Sequence, residues 1–155
     1  MHKAKTLGWL SLVAASCAVS PAGLAAPCAG TNINSTQTWS PSEIVKGVQL
    51  SISKFASVIV SDDPNVPFHL ASGECVGSFL IGADGKATSA SGYCARKDKD
   101  GDTVHEAWTL TSPGKGTSKV AGGTGKFANA SWTFSWQHTP LHGPMAAVRW
   151  SGDCR

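Results

Sequence analysis

Apolar and polar positions alternate along most of this chain, and the alternation is clearest near its end. Trp132, Phe134 and Trp136 interleave with Ser131, Thr133, Ser135 and Gln137. A two-residue period predicts a half-buried β-strand, here over 129–137, with the three aromatic rings on one face. Two further runs, 68–80 and 87–95, flank Asp84-Gly85, a strong short-range hairpin signal. A second hairpin is expected from 93–97 and 103–111 around the acidic tip Asp98-Lys99-Asp100-Gly101-Asp102. With its turn at Asp100-Gly101, Tyr93 would lie opposite Trp108 as a cross-strand aromatic pair. Pro113-Gly114 turns the chain into a strand at 117–121, and a last strand is expected at 145–151.

Residues 44–60 are the ambiguous stretch. Ile44, Val48, Ile52, Phe55 and Ile59 recur at near-helical spacing, and Ser40-Pro41-Ser42-Glu43 has the form of a capping box. Gly47, the β-branched run Val58-Ile59-Val60 and the alternation of Val48, Leu50 and Ile52 favour strands. The sum is about eight short strands without a helical half. That predicts an all-β domain, a small antiparallel barrel or, alternatively, a β-sandwich, over 43–155 behind an irregular segment at 26–42.

The first 25 residues have another character. Lys3 and Lys5 precede an apolar run from Leu7 to Val19 and a small-residue exit ending in Ala25. This is the pattern of a cleaved secretory signal peptide, so the mature chain is expected to be periplasmic or secreted and to have no membrane segment. Removing Lys3 and Lys5 leaves 11 basic against 10 acidic residues, a net charge of +1. A nucleic-acid partner loses its electrostatic footprint.

Without the leader the five cysteines become four: Cys28, Cys75, Cys94 and Cys154. An even number in an exported chain predicts two disulfides, in one of three connectivities. A two-residue loop at 84–85 sets Cys75 opposite Cys94, at an expected Cα separation of about 5.5 Å that a disulfide spans. Cys28 and Cys154 would then join the two ends of the domain.

Candidate chemistry is sparse. Gly122-Gly123-Thr124-Gly125-Lys126 lacks the P-loop spacing, and Phe127 stands where a magnesium-holding hydroxyl is needed. The Asp98–Asp102 tip misses the calcium-loop pattern, with Thr103 at position six and Thr109 at position twelve, and reads as a solvated turn. His138 and His142 are four apart, but Pro140 prevents the helix that would align them. No Gly-x-Ser-x-Gly elbow exists, and no catalytic set, metal centre or cofactor is expected. His105 and Glu106 fall on opposite faces of their strand. The aromatic stripe is the remaining feature. Trp132, Phe134 and Trp136, with Tyr93 and Trp108 on neighbouring strands and Arg149 as a polar handle at the mouth, would line an apolar ligand cavity if they do not simply fill the core.

The run Gly122-Gly123-Thr124-Gly125-Lys126-Phe127-Ala128 before a strand resembles the Gly-Gly-Thr-Gly-Lys-Tyr/Phe-Ala-Gly turn of allene oxide cyclase-like and dirigent-like β-barrels, with Asn129 where that family usually has glycine. Gly73-Glu74-Cys75, Gly92-Tyr93-Cys94 and Asp153-Cys154 resemble motifs of small exported bacterial proteins. The resemblance implies an eight-stranded antiparallel barrel whose lumen accepts an apolar or phenolic molecule. It carries no catalytic residue across, because residues 27–60 do not match the cyclase's active-site strands. The expected function is ligand binding without chemistry; alternatives are a cyclase or isomerase acting in the lumen, or a module that contacts an envelope protein.

Overall fold

The computed structural model of the protein describes residues 27–154, and the leader expected at 1–25 lies outside them. Eight strands run in order: β1 (Pro27–Val45), β2 (Val48–Ser61), β3 (Ser72–Ile81), β4 (Ala87–Lys97), β5 (Thr103–Ser112), β6 (Lys115–Gly123), β7 (Ser131–Pro140) and β8 (Met145–Asp153). Each pairs antiparallel with the next, and β8 returns to β1, so the sheet closes into a barrel. Closure leaves no full-length edge exposed, which an open eight-stranded sheet would have to protect.

The segment expected to be irregular at 26–42 instead forms, from Pro27 on, most of β1, a 19-residue strand. Its Asn, Ser and Thr residues suit a strand whose inward face is partly polar. β1 pairs with β8 from Pro27↔Asp153 to Ser35↔Met145, then continues to Val45 against β2 alone. The capping box does not start a helix; Glu43 Oε1 accepts the Gly47 N–H at 2.8 Å and closes the β1–β2 turn.

Both expected hairpins form, with altered loops. The β3–β4 loop has three residues rather than two, closed by Gly82 N–H to Lys86 O, with Gly85 at φ 75°. A register shift beside Leu80 absorbs the extra residue and restores Cys75 opposite Cys94. Their Cα atoms are 4.0 Å apart and the two are disulfide-bonded, as are Cys28 and Cys154. At the β4–β5 tip, Asp98 Oδ1 accepts the N–H groups of Asp100 and Asp102, and Gly101 at φ 88° completes a three-residue loop. That loop moves the register by one, so Trp108 faces Gly92 and Tyr93 faces Ala107. The expected Tyr93–Trp108 pair does not form.

One end of the barrel is filled. The β2–β3 connection folds under it and inserts Phe68, which packs against Trp132, Phe134 and Trp150 at ring separations of 5.3–5.9 Å. Phe68 therefore belongs to this plug; β3 begins only at Ser72. The Gly-rich corner forms a single 3₁₀ turn, Gly125–Phe127, and delivers Phe127 (0% exposed) to the same cluster with Ile59, Val104 and Val120. The core thus occupies the closed end, and the opposite half of the lumen is left for something else.

Candidate functional site

Above the plug the lumen is a cavity of 340 Å³ that opens between the ends of β1, β3, β5 and β7. Its emptiness follows from a repeated pairing. Trp108 is the cross-strand partner of Gly92, Trp136 of Gly116 and Trp150 of Gly30. Each indole lies so close over its glycine that a Cβ there would overlap the ring; Trp108 also covers Gly77. The rings therefore line the wall instead of crossing the lumen. Phe55 and Phe79 join Trp108 at centroid distances of 6.1 and 5.6 Å, and Phe79 meets Trp39 at the mouth at 5.3 Å.

The lumen also holds polar groups, and β2 contributes serines on the same face as Phe55 and Ile59. Its apolar residues Leu50, Ile52 and Val60 point outward, while Ser51, Ser53 and Ser57 are buried. Near the closed end of β4, Arg96 (2% exposed) reaches across β3 to Ser57. Arg96 Nε donates to Ser57 Oγ at 3.1 Å, Nη1 donates to Glu106 Oε2, and Nη2 lies 3.5 Å from Cys75 Sγ. A buried ion pair is tolerated when each charge compensates the other, and removing one partner typically costs about 3–5 kcal/mol. Asn32 and Asn34 on β1 complete this arc; their Oδ1 atoms, like the indole N–H groups of Trp108, Trp136 and Trp150, are buried without a protein hydrogen-bond partner. Buried polar atoms are rarely left so.

At the mouth, His138 ends the lumenal row of β7. Although His138 is exposed at the rim, partial desolvation of its imidazole by the surrounding wall lowers its pKa below the usual value. His142 lies in the β7–β8 loop, and no group of residues with metal-ligand geometry occurs among the described residues.

Of the six residues expected at the site, Trp108, Phe134 and Trp136 line the cavity. Trp132 shares their inward face but lies deeper, packed into the plug against Phe68 and Phe127. Tyr93 is 74% exposed on the outer wall beside Val76, because the one-residue register change and the inward direction of Cys94 turn it out. Arg149 also points outward, where its Nη1 donates to Asp62 Oδ1 at 2.7 Å in a bidentate pair. That bond holds the Asp62 carboxyl below the usual carboxylate range. Neither Tyr93 nor Arg149 reaches the lumen. Its polar handle is Arg96 with Glu106, which sequence reading did not select, although the opposite facing of His105 and Glu106 is observed. Searches against protein-family models, curated proteins and solved structures found no match to this chain.

Proposed function

We propose that this chain is an exported, disulfide-stabilised barrel that binds a small apolar or aromatic molecule in its lumen and does no chemistry on it. The carrying observation is the set of tryptophans laid against glycines, which keeps a 340 Å³ aromatic cavity open above a packed floor. Filling the lumen with those rings would bury more apolar surface, so the open arrangement forgoes stability that a guest can supply. Ligand sites share this composition, mostly apolar walls with a few placed polar groups. Two disulfides suit an oxidising compartment, in agreement with the leader pattern at 1–25. The motif resemblance to allene oxide cyclase-like and dirigent-like barrels points the same way.

The test is native mass spectrometry of protein purified from its own source, followed by titration of tryptophan fluorescence with flat phenolic and fatty probes. A co-purifying small molecule and a saturable fluorescence change are expected. Silence across a broad panel would remove the proposal. A second reading, a cyclase or isomerase, is favoured by one observation: Arg96 and Glu106 form a buried ionisable pair inside the cavity. Conversion of any bound probe, abolished in Glu106→Gln, would select that reading instead.

A further inference from the structure

Asn32, Asn34, Arg96 and Glu106 line the cavity among its aromatic residues, and Ser57, held by Arg96, extends them into a polar arc over β1, β2, β4 and β5. The charges within the arc cancel. Three of the five Arg96 N–H groups are directed at Ser57, Glu106 and Cys75, which leaves two uncommitted. Glu106 Oε1 accepts no hydrogen bond from the described residues. Asn32, 8% exposed, holds an Oδ1 with no protein partner. The arc therefore offers donors and acceptors side by side but no net charge.

We infer that the lumen selects an uncharged ligand that enters polar end first, with a flat apolar body and a terminal group, such as a hydroxyl, that both donates and accepts. This rests on the lumen being a binding site, and it narrows the ligand class. A hydroxyl accepts from a spare Arg96 N–H and donates to Glu106 Oε1. Its ring then lies against Trp108 and Trp136. An ionised carboxylate finds Arg96 already neutralised and meets Glu106 in a low-dielectric cavity, where like charges repel strongly. A wholly apolar molecule of the same shape leaves the arc unpaired, and sites built to hydrogen-bond a hydroxyl reject analogues that lack it.

The experiment uses three probes of one skeleton, 2-naphthol, naphthalene and 2-naphthoate, titrated at neutral pH into the mature, disulfide-bonded protein, with tryptophan fluorescence and calorimetry as readouts. The naphthol is expected to bind at least about tenfold more tightly than either of the others, the discrimination expected of one satisfied buried hydrogen-bonding group. In Glu106→Gln, Arg96 regains an uncompensated charge, and the naphthoate-to-naphthalene affinity ratio should rise by at least about tenfold. Near-ultraviolet circular dichroism checks that the variant is folded; if it is not, the wild-type ranking decides alone. Equal affinities for naphthol and naphthoate, or naphthalene binding best, would overturn the selection while leaving the lumen as a binding site. Binding of none of the three would overturn the selection, and only silence of the whole phenolic and fatty panel as well would overturn the lumen as a binding site.

Discussion

Gly77 and Gly92 face each other across β3 and β4, and the Trp108 ring lies over both. Neither glycine is needed for its backbone angles here; the requirement is space. Gly92→Ala would meet the Val76 carbonyl oxygen as well as the Trp108 ring, so it should both disturb the β3–β4 pairing and push Trp108 into the lumen. Overpacking of this kind costs typically 1–3 kcal/mol, read as a lower denaturant midpoint, and the displaced ring should also abolish probe binding. The same ladder shows how much of the site the residues themselves disclose. Trp108, Phe134 and Trp136 are legible as inward because large apolar residues alternate with small or polar ones around them, although Glu106 interrupts the row on β5. The glycine partner of Trp108 was not, because a loop one residue longer than expected changes every opposite pair on β4 and β5. Arg96 stayed hidden for another reason. A lone arginine on an alternating strand is ordinarily solvated, and only closure of the sheet brings Ser57 and Glu106 within its reach.

At the level of elements, the acidic tip and the Gly-rich corner explain each other. The Lys126 ammonium lies 2.7 Å from Asp100 Oδ2 and also pairs with Asp98, while the Lys126 N–H donates to Asp102 Oδ2 at 3.2 Å. The motif that looks like a phosphate loop thus supplies a cation to the motif that looks like a calcium loop. The expected solvated turn is corrected accordingly: Asp98 is buried under that lysine. Hydrogen bonds from Lys126 and Lys99 pull Asp100 down to about 2. For Asp98, burial opposes ionisation, but Lys126 and the N–H groups of Asp100 and Asp102 outweigh it and lower its pKa. Lowered carboxyl pKa values stabilise the fold above the unfolded value, near 3.8, and the contribution disappears as pH falls through the folded value. Wild type should therefore exceed Lys126→Met in melting temperature at pH 5, with the gap closing between about pH 4 and about pH 2. A constant gap down to pH 2 would count against the clamp. Strand β2 carries the main lesson about pattern. Its alternation is plain in the residues, but alternation does not say which side faces inward. Here the serines turn in and Leu50 and Ile52 turn out, because the lumen is a partly polar chamber and not a uniform core.

For the whole molecule, the all-β class was readable from turn signals and strand period, the choice of a barrel over a sandwich came from the turn-motif resemblance, and the even thiol count with the hairpin register favoured the observed cysteine pairings among three. The plug was not readable. Phe68 reads as the start of a strand and is in fact the centre of the filled end, since nothing local marks a connection that folds back under its own barrel. Cys28 and Cys154 join positions 126 residues apart beside that end. Replacing both by serine should lower stability by on the order of 2–5 kcal/mol in the chain-entropy account, measured by urea unfolding, with little change in probe affinity because neither residue lines the cavity. Both sulfur links, the phenylalanine stopper and the lysine clamp all lie in one half, whereas β1 past Ser35 has lost its β8 neighbour at the other. Amide exchange should consequently be fastest around the rim and slowest around the base. A guest would then come and go through local fluctuations of a loosely fastened doorway, without the base ever having to melt.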